Sequence, residues 1–188
     1  MTTIAEHLAA CGAVRFGEFT LTSGARSRYY VDVKTASTDP STLARIADAM
    51  ADVAASEGPF DAVAGMELGA VPIATAVSLR TGLPLLILRK SARSHGTGKR
   101  IEGRDPAGLR VLVVEDVTTS GGSTVEAVTV LREAGATVDH AFVVVDRESG
   151  GVPALAAVGV TLRPLATVSD LLATAEAKAA LADAEASA

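Results

Sequence analysis

The segment Val111 to Thr124, VLVVEDVTTSGGST, limits what this chain can fold into more than any other stretch. Its first four residues are all apolar, the pattern of a strand covered by helices on both faces. Glu115 and Asp116 follow as adjacent carboxylates at the strand exit. A turn of hydroxyls and glycines then runs from Thr118 to Ser123, and a helical pattern begins at once. Such a turn aims several backbone N–H groups at one point, and the helix N-terminus adds partial positive charge. Gly121 and Gly122 let the backbone approach a ligand closely, while Thr119, Ser120 and Ser123 can add hydroxyl donors. The segment therefore predicts a cradle for a phosphate monoester beyond the carboxyl end of a parallel strand. Carboxylates beside a phosphate would repel it unless they faced something else. Sugar hydroxyls donating to Glu115 and Asp116 are the natural partners, with Mg2+ nearby as a second possibility. Neither a P-loop nor a GxGxxG pattern is present, so nucleotide hydrolysis and dinucleotide binding lack their usual signature.

The rest of the chain alternates to match. Thr3 and Glu6 have capping-box spacing, and Gly12 can end the short helix that follows. Val14 to Asp32 reads as short β pieces, AVRF, EFTL and YYVDV, split by SGARS. Asp39-Pro40 starts a helix with apolar residues at Leu43, Ile46, Ala47, Met50 and Val53, and Gly58-Pro59 stops it. Then come a strand over 61–65, a helix from Val71 to Leu79 and a strand over 83–89. A long loop leads to the strand over 109–116, followed by a helix from Thr124 to Ala134, a strand over 136–146 and a last helix from Thr167 to Ala184. The expectation is one α/β domain, a doubly wound parallel sheet, with a small N-terminal attachment.

Composition narrows the function. The chain has 188 residues, 48% apolar, with mean hydropathy +0.34, and no apolar run approaches the roughly 20 residues of a membrane span. Its net charge of −5 and 3% aromatic content disfavour nucleic acid as a partner. Cys11 is the one cysteine, which rules out internal disulfides and fits a reducing cytoplasm. The N-terminus reads as a helix and not a signal peptide, so a cytoplasmic location is expected. Four of the six aromatics, Phe16, Phe19, Tyr29 and Tyr30, fall in the first thirty residues. Between Arg89 and Asp105 there are six Lys/Arg residues and two acids, in a glycine-containing stretch without periodicity. A loop of that length in a compact domain is usually functional, and a cationic one suits a departing polyanion.

VVEDVTTSGGS resembles the phosphoribosyl pyrophosphate (PRPP) motif of type I phosphoribosyltransferases. The resemblance implies that Val117, Thr118, Thr119, Ser120, Gly121, Gly122 and Ser123 hold the 5′-phosphate, while Glu115 and Asp116 hold the ribose hydroxyls. Uracil, adenine and hypoxanthine enzymes and some regulators share this motif, so it names fold and donor but not the acceptor. Two further segments resemble the orotate phosphoribosyltransferase family. RKSARSHG matches its catalytic loop, which implies PRPP contacts from Arg89, Lys90, Arg93 and His95, with catalytic roles for Lys90, Arg93, His95 and Asp116. FGEFTLTSGARSRYYVDVK matches its N-terminal hood, which implies a base contact from Tyr30, with Tyr29 as neighbour. Thr119 and Arg147 complete the implied orotate site, Arg147 as the cation for a carboxylate that uracil lacks. The implied reaction gives orotidine 5′-monophosphate and pyrophosphate in pyrimidine synthesis. Mg2+ would travel with PRPP without a dedicated protein cage, and a loop shared between subunits implies a homodimer. Three positions depart from relatives that carry lysine: Thr22, Gly69 and Arg93. Lys34 or Arg26 would be left to supply charge lost at Thr22.

Overall fold

The structure, a computed structural model, describes residues 2–20, 26–91, 100–174 and 177–179. The helix α1 (Ile4–Ala10) opens on Thr3 in a complete capping box with Glu6. An antiparallel ribbon follows, β1 (Val14–Thr20) and β2 (Arg26–Val31), which runs AVRF and EFTL together through a bulge between Phe16 and Phe19. Next come α2 (Val33–Ser37) and α3 (Pro40–Glu57), the latter capped by the Asp39 carboxylate on the Thr42 N–H, with Pro40 in its first turn. The remainder is β3 (Ala62–Met66), α4 (Ala70–Thr81), β4 (Leu85–Leu88), β5 (Ile101–Glu102), β6 (Val111–Thr118), α5 (Gly122–Glu133), β7 (His140–Asp146), α6 (Gly151–Ala157), β8 (Thr161–Thr167) and α7 (Val168–Ala173).

Six of these strands form one sheet in the order β5-β4-β3-β6-β7-β8. All neighbours are parallel except the edge strand β5, which pairs antiparallel with β4. From β3 the chain steps outward to β4. It then returns to the other side of β3 as β6 and steps away through β7 to β8. Because parallel crossovers are right-handed, this reversal puts α4 on one face and α5 and α6 on the other. Strand residues alternate accordingly. Val63, Leu112, Val114, Phe142 and Val144 pack with α1, α3 and α4, while Ala62, Ala64, Val113, Ala141 and Val143 pack with α5 and α6. Between β3 and β6 the connections diverge, which leaves a crevice at their carboxyl ends.

Several elements differ from the sequence reading. β6 runs past Asp116 to Thr118, and α5 starts at Gly122, so the turn between them is shorter than predicted. The strand predicted from Ala136 pairs regularly only from His140; before that Thr137 makes an isolated bridge to Arg110. Residues 147–166 carry α6 and β8, which the pattern did not announce. The last helix, predicted without interruption from Thr167, breaks at Thr174, whose backbone is extended (φ −65°, ψ 155°). Residues 175–176 and 180–184 of that prediction lie outside the described residues. Among the described residues no helix is long and apolar enough to cross a membrane.

The amino ends of the strands are tied by paired charges. Arg110 donates to Asp139 at 2.9 Å, His140 meets Glu57 at 3.2 Å, and Arg163 donates to the same Glu57 at 2.7 Å. The Arg110 guanidinium also lies 4.4 Å from the Phe60 ring centre. This network joins the end of α3 to β6, β7 and β8, at the pole opposite the crevice.

Candidate active site

A cavity of about 250 Å3 opens at the carboxyl ends of β3 and β6. Lys34, Glu67, Gly69, Lys90, Glu115 and Asp116 line it, with Ser123 at the start of α5. Two cations thus face three carboxylates in a crevice whose floor is the switch point of the sheet. Lys34 reaches it from α2, whose backbone is fixed by the Asp32 carboxylate accepting the Lys34 N–H at 3.2 Å and by burial of Val33, Ala36 and Ser37. Arg26, the other candidate for compensating charge, is exposed at the start of β2 and is not among the lining residues.

The acidic pair is asymmetric. Glu115 is buried, while Asp116 is half-buried. The Asp116 and Val117 N–H groups donate to the Glu115 and Asp116 carboxylates at 3.1 and 2.8 Å. Burial, and then the neighbouring Asp116 charge, push the Glu115 carboxyl from 4.5 up to about 8, against an opposing pull from Lys90. The fold therefore favours the protonated form. That contribution is complete at acidic pH, below the carboxyl's value in the unfolded chain, and is lost as pH rises through about 8. Glu115→Gln should remove this dependence. Its stability advantage over wild type in thermal denaturation without substrate should grow from pH 6 to pH 9, reaching on the order of 2 kcal/mol. A constant gap across that range would mean that Glu115 is ionised in the free protein.

Past Asp116 the chain forms the turn. Thr118 is buried, and its Oγ1 faces Gly151, where an added Cβ would come within 2.9 Å. Its side chain therefore serves packing, and its carbonyl accepts the Arg147 N–H at 2.9 Å. Thr119, Ser120, Gly122 and Ser123 are exposed. Gly121 is buried at φ +83° and opens α5 with no side-chain cap, so the first N–H groups of the helix remain directed at the turn. Gly69 is a glycine for a different reason. Its backbone is helical (φ −64°, ψ −36°), but a Cβ there would lie 2.0 Å from Asp116 Oδ2 and 2.6 Å from Cγ. The space a side chain needs is filled by the Asp116 carboxylate.

Arg147 stands at the exit of β7, beside the turn. Its guanidinium is 5.9 Å from the Tyr29 ring centre, which brings the N-terminal ribbon against the core. Tyr30, the predicted base contact, lies one residue on and on the other face of β2. It packs at 5.7 Å against Phe19 and is 37% exposed, so the structure brings Tyr29 and not Tyr30 to Arg147. Three buried side-chain atoms of the described residues lack a hydrogen-bond partner: Arg89 Nε, Thr118 Oγ1 and Arg147 Nε. All three sit at the carboxyl ends of β4, β6 and β7, the rim of the same crevice. Arg93, His95 and Thr22 lie outside the described residues. Glu67, which sequence reasoning missed, sits next to the cis Glu67–Leu68 peptide and accepts the Lys90 N–H at 3.0 Å.

A parallel sheet with an uncapped helix start, an acidic pair and converging cations at one switch point is the architecture of a phosphoribosyl-transferring enzyme. The profile of the family described as "Phosphoribosyl transferase domain" matches residues 32–164. The orotate phosphoribosyltransferase of Methanosarcina mazei is 54% identical over 165 residues, 88% of each chain. The crystal structure of the Aeropyrum pernix orotate phosphoribosyltransferase covers 90% of this chain and 96% of its own, at 38% identity and a TM-score of 0.82. That of the Mycobacterium tuberculosis enzyme in complex with PRPP covers 89% of this chain and 96% of its own, at 34% identity and a TM-score of 0.76. This chain belongs to the orotate phosphoribosyltransferase family.

Proposed function

We propose that the chain transfers ribose 5-phosphate from PRPP to N1 of orotate, releasing pyrophosphate and forming orotidine 5′-monophosphate in pyrimidine nucleotide synthesis. The observation that carries this reading is the hydrogen bond from the Arg147 N–H to the Thr118 carbonyl. It fixes the backbone of Arg147, the cation at the β7 exit, to the phosphate turn, so one bound nucleotide can place its phosphate in the turn and a base carboxylate at the guanidinium. Neutral bases would leave that arginine without a counterpart.

In this reading the N–H groups and hydroxyls of Thr119 to Ser123 hold the 5′-phosphate. Glu115 and Asp116 accept the ribose hydroxyls, and the Asp116 carboxylate favours positive charge growing at C1′. As N1 gives up its proton to solvent and bonds to C1′, the bond from C1′ to the pyrophosphate oxygen breaks and negative charge builds on the leaving group. Lys90 and Lys34 line the cavity where that charge would collect. Arg89, Arg93 and His95 belong to the same contact set by family resemblance. Thr119 and Arg147 orient orotate, Tyr29 supports the guanidinium, and Tyr30 offers an exposed ring to the base. The donors present fit Mg2+ bound mainly through the substrate. The cavity offers the hard carboxylate oxygens of Glu67, Glu115 and Asp116. The ion's contribution when bound is to neutralise the pyrophosphate oxygens. A homodimer sharing the loop between subunits, acting in the cytoplasm, completes the proposal.

Orotate consumption followed by its ultraviolet absorbance, with PRPP and Mg2+ and with uracil, adenine and hypoxanthine in parallel, tests it. Turnover of orotate alone is expected. Turnover of another base in its place would keep the donor and overturn the role of Arg147.

A further inference from the structure

Arg100 stands outside the cavity, one residue before β5, yet it grips the residue that carries a cation into it. Its Nε and Nη2 both donate to the Arg89 carbonyl at 3.1 Å, and Nη2 also donates to the Lys90 carbonyl at 3.0 Å. The Arg89 N–H donates back to the Arg100 carbonyl at 2.9 Å. The same Nη2 also pairs with Glu126 of α5, the helix that opens on the phosphate turn. Lys90 is held from the other direction as well, since its N–H donates to Glu67 in the turn after β3. Its peptide unit is thus fastened on both sides, to the two segments that flank the crevice.

Stability alone gives this arrangement little purpose. The Arg100 and Glu126 side chains are 31% and 47% exposed, and ion pairs of that exposure contribute little to folding. What the geometry does is orient. A guanidinium spans two successive carbonyls and a carboxylate at once, which a lysine ammonium on a flexible stem does not reproduce. Lys90 by contrast is itself exposed, and a cation there would otherwise sample many positions over the acidic pair.

We propose that Arg100 and Glu126 are positioning residues that set the Lys90 ammonium over the Glu115–Asp116 pair and tie it to the phosphate turn through α5. The proposal rests on the reading of the cavity as the PRPP site. It is tested by a double-mutant cycle of Arg100→Met and Lys90→Met in the full-length protein, measuring KM for PRPP and for orotate, kcat and thermal stability. Arg100→Met should raise KM for PRPP about tenfold and leave KM for orotate and Tm nearly unchanged. In the Lys90→Met background it should add less than about twofold. Glu126→Gln should act in the same direction with a smaller factor, which keeps the test open if Arg100→Met folds poorly. An unchanged KM for PRPP in both variants, or the same factor with and without Lys90, would overturn the clamp. Wild-type protein that neither binds PRPP nor consumes orotate would overturn the functional reading, and the clamp with it.

Discussion

Replacing Arg147 by alanine is expected to lower kcat/KM for orotate by about 100- to 1,000-fold, while PRPP binding measured by calorimetry stays within about twofold. The size follows from what is lost. In the proposed reaction the substitution removes a bidentate, charge-assisted pair to the substrate carboxylate. The local scaffold should survive, because the bond that fixes residue 147 to the phosphate turn uses its backbone N–H, which alanine keeps. Lysine should recover only part of the loss, since one ammonium cannot reproduce the planar fork. Equal loss of PRPP binding would mean that Arg147 acts through the turn and not through the base.

Gly121→Ala should be strongly damaging to both stability and ligand binding. Residue 121 sits at φ +83°, and a Cβ there would meet Leu155 Cδ2 at 2.9 Å and Ala154 Cβ at 3.2 Å. Left-handed backbone and a collision with a buried leucine together predict about 2–4 kcal/mol of destabilisation in chemical denaturation. PRPP affinity should fall by about 100-fold or more, because the N–H groups that follow lose their common aim. Gly122→Ala is the control. Its nearest neighbour would be Ser120 Oγ at 3.8 Å, so stability should change by less than about 0.5 kcal/mol. Equal effects at both positions would contradict the packing of the turn on α6.

The parts of this fold that were legible in the sequence are those written in neighbouring residues. The strand, acidic pair, turn and helix from Val111 onward form one local pattern, as do the Thr3–Glu6 cap and the Asp39-Pro40 helix start. α2 was not legible because its five residues are too few to show a helical period. Pro153 lies inside the short α6 and Pro164 inside β8, which hid both elements. β8 tolerates its proline because it is an edge strand. The site was legible as residue types, from family resemblance more than from spacing. Its geometry was not, because each decisive contact joins distant positions: Tyr29 to Arg147, Glu67 to Lys90, Arg100 to Glu126. Sequence alternation could not say which tyrosine faces the core until the ribbon's docking was known.

The missing methyl at position 69 bears on how such enzymes exchange parts. Because the Asp116 carboxylate occupies the place of a Gly69 side chain, the two positions form a linked pair in sequence space. A lysine grafted here from relatives that carry one would have to displace Oδ2 of Asp116, turning a carboxylate whose other oxygen accepts the Val117 N–H. The graft brings its charge only together with a rearranged acidic pair.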